Sequence, residues 1–220
     1  MSSEAIMSCA ICSTRRPRRH CPGVRGEICA LCCGTAREVT VNCPLDCPYL
    51  QESRRHDRLP EPDPAKVPNP DIDISEEFLS RNTRLFTYVC LAILKHALGT
   101  QAIVDNDVRE ALEALARTYR TLESGLVYET RPANLLAAGL QRKLREELIQ
   151  YEKEAESAAG METLRDADVL GVLVMLQRIE YARSNGRPRG RAFLDFLHHE
   201  FQEMGVPPQD DEDSGLIVQA

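Results

Sequence analysis

A small cysteine-pinned module followed by an all-α helical bundle of about five helices is the architecture this sequence predicts. Three observations predict it. Eight of the nine cysteines fall between Cys9 and Cys47. Five prolines crowd the twelve residues from Leu59 to Pro70. Beyond them apolar residues recur at intervals of three and four, in a chain with 5% aromatic residues and no Trp. That pattern favours helix over sheet. The predicted divisions are a Cys-rich module at 1–58, a Pro-rich linker at 59–74, a helical body at 75–203 and an acidic disordered tail at 204–220.

Charge divides along the same lines. The whole chain carries −7, but residues 1–59 hold nine Arg against six acids, and the remainder is strongly acidic. A mildly basic head on an acidic body implies a local anion-binding patch, not a protein that coats nucleic acid. The opening MSSEAIMSCAICS has no basic region followed by a long apolar core. The apolar patches at Val89–Leu94 and Val169–Leu176 are far shorter than the ~20 residues a membrane span needs. The expectation is a cytoplasmic protein without membrane contact, and in that reducing compartment clustered cysteines serve metal more often than disulfides.

The cysteines are Cys9, Cys12, Cys21, Cys29, Cys32, Cys33, Cys43 and Cys47. Tight pairs place two sulfurs on one turn of chain, and two pairs make a tetrahedral site with ligands at about 2.3 Å, which suits zinc. The head also lacks another source of stability. Its apolar residues, Ile11, Val24, Ile28, Leu31, Val39, Val41 and Leu45, are few. They cannot offset a chain entropy of ~1–2 kcal/mol per residue, whereas metal affinity becomes folding free energy. An iron–sulfur cluster or disulfides are the alternatives that a thiol-rich stretch leaves open.

Residues 9–50 resemble the cross-braced zinc fingers of the MYND and HIT types. Cys9-Ala-Ile-Cys12 is similar to their first pair, and Arg19-His20-Cys21-Pro22 to the start of the second. Ile28-Cys29 with Cys32-Cys33 is similar to the third, and Cys43/Cys47 to the fourth. The resemblance implies one zinc on Cys9, Cys12, Cys29 and Cys33 (or Cys32). It implies a second on Cys21, Cys43, Cys47 and the spare thiol. The sequence departs from the pattern after Cys21, where Gly23 and Val24 stand in place of a ligand. His20, Cys32 or Cys33 could complete that site. A single-zinc ribbon on Cys9, Cys12, Cys29 and Cys32 is the simpler alternative, so the expectation is two Zn2+ ions or one. The whole chain also resembles a group of uncharacterised bacterial proteins with a Cys-rich head before a helical body, a likeness that implies no activity.

Arg15, Arg16, Arg18, Arg19 and Arg25 fall within eleven residues and are the candidate partner-binding residues. Guanidinium groups on a pinned loop suit phosphate or carboxylate, but no aromatic residue interleaves to stack on bases. A solvated loop, or one docked on the acidic body, is the plainer reading. After the module, Pro48–Arg58 reads as a short exit helix with Pro in its first turn. His56 on it is expected exposed. The proline run then excludes helix and central strand and predicts an extended spacer.

Five helices follow. Ser75 caps the first, with Glu76 and Glu77 in its first turn and Gly99 at its end; Cys90 on it is expected as core filler. The second runs from Asp105 to Ser124 with Gly125 as the stop. Pro132 opens a third, to about Ser157, broken by Gly160. The fourth, Thr163–Arg183, is apolar around most of its girth and should be central. The fifth is Arg191–Glu203. Between the last two, Arg183, Arg187, Arg189 and Arg191 with Gly186 and Gly190 form a second basic loop, either an anion site or a turn whose arginines pair with the acids of the second and third of these helices.

No nucleophile elbow, phosphate loop or dinucleotide fingerprint is present, and His198 and His199 are adjacent instead of four apart. The expectation is a protein that is not an enzyme. It would be a zinc-binding interaction protein whose Arg-rich loops contact a protein or nucleic-acid partner, with the helical body as scaffold or dimerisation surface. A thiolate-based redox or metal sensor is the alternative, with Cys32 and Cys33 as the discriminating thiols.

Overall fold

The computed structural model describes residues 8–159 and 164–203, without the side chains of 158, 159 and 203. The expected acidic tail and the Gly160 break lie outside these residues. Among the described residues there are seven α-helices, a three-residue 3-10 turn and one two-stranded sheet. Five helices lie in the body, and two short ones lie in the head.

The head begins with an antiparallel hairpin of β1 (Arg19–Cys21) and β2 (Gly26–Ile28), with Cys21 opposite Gly26 and Arg19 opposite Ile28. A seven-residue helix, α1 (Ala30–Ala36), follows at once, and α2 (Pro48–Arg54) closes the module. Helix α1 has no apolar period of its own. Its start is set by the Cys29 sulfur, which accepts from the Cys32 amide at 3.4 Å.

The body is α3 (Glu76–Leu98), α4 (Asp105–Glu123), α5 (Leu135–Ala159), α6 (Asp166–Arg183) and α7 (Ala192–Glu203). Ser75 Oγ accepts from the Phe78 amide at 3.1 Å and starts α3. Gly125, at φ +76°, turns the chain after α4. The start of α5 corrects the Pro132 expectation. Asn134, whose Oδ1 accepts from the Leu136 amide at 3.0 Å, begins the helix three residues later. An Asn side chain can cap free amides, and Pro offers no such group.

Helix α6 is the central one. Val169, Leu170, Gly171, Val172, Leu173, Val174, Leu176, Gln177 and Glu180 are all buried, on every side of its axis. It packs on α3, α4 and α7. A Cβ at Gly171 would collide with the Phe78 ring of α3, so the absence of a side chain there sets the α3–α6 approach. Burying each of the core leucines contributes roughly 1.5–3 kcal/mol. Cys90 is fully buried in this core, as expected, and burial raises its thiol pKa.

The proline-rich segment is not an extended spacer. It forms a 3-10 turn at Pro64–Lys66 and lies along α4 and α6. Arg178 donates to three of its carbonyls, Pro68 at 3.1 Å, Asn69 at 2.6 Å and Ile72 at 2.7 Å. Arg120 holds Asp71 at 2.7 Å and Asn69 at 2.8 Å. Prolines remove amide donors but leave carbonyls, and arginines from the bundle satisfy them.

The second basic loop is spent inside the protein. The Arg189 amide donates to the Glu38 carbonyl at 2.8 Å, and its guanidinium reaches Asn42. Arg187 lies 3.6 Å from Glu38 and 3.7 Å from Asp57. Arg191 is buried and donates to the Ala97 carbonyl, and Arg183 stacks on Phe196. Of the two readings, the paired turn is the one observed, but its acids belong to the head, not to the helices at 105–124 and 132–157. Asp105, also buried, accepts from the Phe193 and Leu194 amides and so caps α7.

Candidate metal centre

Four sulfurs converge at the outer end of the head. Those of Cys9, Cys12, Cys29 and Cys32 all lie within 4.8 Å of one another, and Cys9, Cys29 and Cys32 are buried. Tetrahedral ligands at about 2.3 Å would sit about 3.8 Å apart, so only a small contraction is needed to close on an ion.

Local structure places each one. Cys9 and Cys12 sit on a tight knuckle, where the Ser13 amide donates to the Cys9 carbonyl at 2.7 Å and Ser13 takes φ +53°. The knuckle is fastened to the hairpin by the Ala10 amide on the Glu27 carbonyl at 2.9 Å. Cys29 leaves β2 and its amide donates to the Cys9 sulfur at 3.2 Å. Cys32 returns to the same side of α1, because a residue three positions beyond the N-cap completes most of one turn. Cys33 is rotated ~100° further and leaves the group. Helix phase therefore decides between the two adjacent thiols, and Cys32 is the one brought together with Cys9, Cys12 and Cys29.

The electrostatics of the group ask for a cation. Burial pushes the Cys9 thiol up, but the amides of Cys12, Cys29 and Ile11 outweigh it and bring it down to about 6. Amides of Thr14 and Arg15 lower Cys12. Cys32 is pushed up to about 12, first by its hydrogen bond with Cys29 and then by burial. Thiolates are favoured on one side of the group and opposed on the other by their neighbours' charge. A bound divalent ion removes that conflict and releases the remaining protons.

The other four head cysteines gather differently. Cys21 ends β1, Cys33 is on α1, Cys47 is the N-cap of α2, and Cys43 lies on the loop before it. Together with Cys32 of the first group, and with His20, Ile28, Ala36, Arg37, Val41, Tyr49 and Leu50, they line a cavity of about 20 Å3, room for one water-sized body. Among the described residues these sulfurs do not meet the mutual spacing of the first group. Arg19 and Arg37 donate to the Cys33 sulfur at 3.4 and 3.7 Å. None of the nine cysteines is in a disulfide.

The five candidate partner-binding arginines divide. Arg19 turns inward, onto Cys33 and over the Tyr49 ring at 4.4 Å. Arg15 has its pKa raised by the neighbouring Cys12 and Cys29 sulfurs. Arg15, Arg16, Arg18 and Arg25 are exposed. His20 is exposed and lies 3.1 Å from Glu27, and His56 pairs with Glu52. Sequence reasoning missed Glu38. It is fully buried at φ +53°, and nothing in its sequence neighbourhood marks it.

No helix among the described residues is long and apolar enough to cross a membrane. Compared with known proteins, the chain matches no family model, no curated sequence and no solved structure.

Proposed function

We propose that this chain is a zinc-binding interaction protein, with the helical body as the scaffold that carries the metal-held head. The observation that carries the reading is the convergence of the Cys9, Cys12, Cys29 and Cys32 sulfurs within 4.8 Å. We read two zinc ions, the second on Cys21, Cys33, Cys43 and Cys47, and what supports that set is the single cavity of about 20 Å3 that these four line together with Cys32. The role is binding, not catalysis, in a reducing compartment such as the cytoplasm.

Arg16, Arg18 and Arg25, all exposed, are the contact residues, and a protein with acidic side chains is the partner they suit. The test is a triple Arg→Glu variant of the full chain at these positions. It should keep its metal and lose cross-links to its partner. Tight binding of a labelled DNA or RNA duplex, falling steeply between low and moderate salt, would assign the surface to nucleic acid instead.

Cys33 favours a second reading. It lies outside the first sulfur group, half-buried, with Arg19 and Arg37 donating to its sulfur at 3.4 and 3.7 Å. In a redox sensor, mild peroxide would modify Cys33 first and release metal. Full resistance of all eight head thiols in the metal-loaded protein contradicts it.

A further inference from the structure

The two sulfur groups occupy different mechanical positions. The first is local. Its supports are the 9–12 knuckle, the hairpin and α1, all within the head. The second stands at the junction with the bundle, and the segments that carry Cys33, Cys43 and Cys47 continue into contacts with the body.

Leu45, between Cys43 and Cys47, is buried in the same apolar cluster as α3, α4, α6 and α7. Cys47 starts α2, and that helix carries Gln51 and Arg54. Gln51 bridges the Leu45 carbonyl and Asp195 of α7 at 2.5 and 3.0 Å, and Arg54 lies 2.6 Å from Asp195. Ala36 and Arg37 line the second cavity, and Glu38 comes next. Its carboxylate accepts from Arg54 at 2.8 Å, from Asn185 at 2.9 Å and from the Arg191 amide at 2.9 Å. Its carbonyl takes the Arg189 amide. Glu38 holds a left-handed backbone that a non-glycine residue adopts at some cost, inside a turn where the Val39, Thr40 and Val41 amides all donate to the Ala36 carbonyl. Glu38 therefore directly follows two residues that line the sulfur cavity, and its side chain turns to the bundle.

We propose that the second group, Cys21, Cys33, Cys43 and Cys47, is the clasp of the head, so that metal gained or lost there docks or releases the head from the bundle. This rests on the two-ion reading above. Closing four sulfurs on one ion fixes the Ala36–Val41 turn and the start of α2 together. Those two elements present Glu38, Leu45, Gln51 and Arg54 to the body. With the sulfurs apart, Glu38 and Arg54 lose their common frame, and the 184–191 loop loses the acceptor for its amides. The first group touches this route only at α1, through Cys29 and Cys32.

Hydrogen exchange by mass spectrometry on the full zinc-loaded chain tests this, with metal counted on the same samples. Cys21→Ser is the probe, because Cys21 belongs to the second group but sits on the hairpin, away from the body. The expected result is one metal fewer and at least ~10-fold faster exchange across residues 185–195. Cys12→Ser should also lose one metal and leave that segment unchanged. Should Cys12→Ser unfold the whole head, Glu38→Gln keeps the test decisive: both metals stay, and exchange at 185–195 rises. Loss of one metal from Cys21→Ser with exchange unchanged overturns the clasp. An unchanged metal count in Cys21→Ser overturns the two-ion reading itself, and the clasp falls with it.

Discussion

The head and the bundle differ in what replaces solvent when they fold. Among the described residues the head buries four apolar side chains besides cysteine, Ile28, Ala36, Leu45 and Leu50. One of these, Leu45, belongs to the bundle's core. The bundle has a continuous apolar cluster running from Leu85 to Phe201. At roughly 1.5–3 kcal/mol per large apolar side chain the bundle can offset its own ordering entropy, and the head cannot. On the proposed zinc reading, the head's order depends on sulfur–metal bonds and on its seat against the body. The difference teaches where sensitivity should lie: chemistry at the thiols acts on the head, and packing changes act on the bundle.

The largest effect should come from metal removal. A structural zinc contributes about 10–16 kcal/mol at neutral pH, more than anything else in the head. A strong chelator with reductant should abolish protection of the hairpin and α1 while α4 and α6 keep theirs, as read by hydrogen exchange. Loss of protection in α6 at the same chelator concentration would break the comparison. Next, Leu173→Ala in the middle of α6 should cost about 2–5 kcal/mol in urea denaturation, with the metal count unchanged.

A pH dependence belongs to the bundle side. Burial pushes Asp105 up to about 7, with the negative charges of Glu180 and Glu38 adding to it and the Phe193 and Leu194 amides opposing. The native state holds this proton at pH values where the unfolded chain, with an ordinary carboxyl near 4, has released it. Stability from this group is therefore greatest at low pH and falls as pH rises through the window from about 4 to about 7, with a slope of up to about 1.4 kcal/mol per pH unit. Asp105→Asn should remove that component, seen as the difference between wild-type and variant denaturation midpoints across the window. A difference that does not vary with pH contradicts the assignment. The smallest effect should be Ser75→Ala. It removes the cap on Phe78 and should cost about 1 kcal/mol without touching the metal.

Much of the bundle was legible because its signals are local. Ser75 before two glutamates, Gly125 after a Leu-rich stripe and the all-round apolar character of 169–176 each report on a few neighbouring residues. The group of Cys9, Cys12, Cys29 and Cys32 was legible within a cluster of eight thiols, but the choice of Cys32 over Cys33 depends on the phase of α1. That helix has no apolar signature, since a sulfur starts it. The 183–191 loop was not legible. Its arginines look like an anion site until Glu38, about 150 residues earlier, is folded against them. The proline-rich segment misled for a similar reason. Its prolines rule out regular structure locally, and they do not reveal that Arg178 and Arg120 hold its carbonyls and side chains.

The most direct measurement is the metal content of the purified full chain by native mass spectrometry under reducing conditions, for wild type and for Cys29→Ser. Two zinc ions in wild type and one in the variant is the predicted result. Wild-type protein that carries no zinc after preparation in zinc-containing buffer, with all eight head thiols open to alkylation on the native fold, would contradict the account.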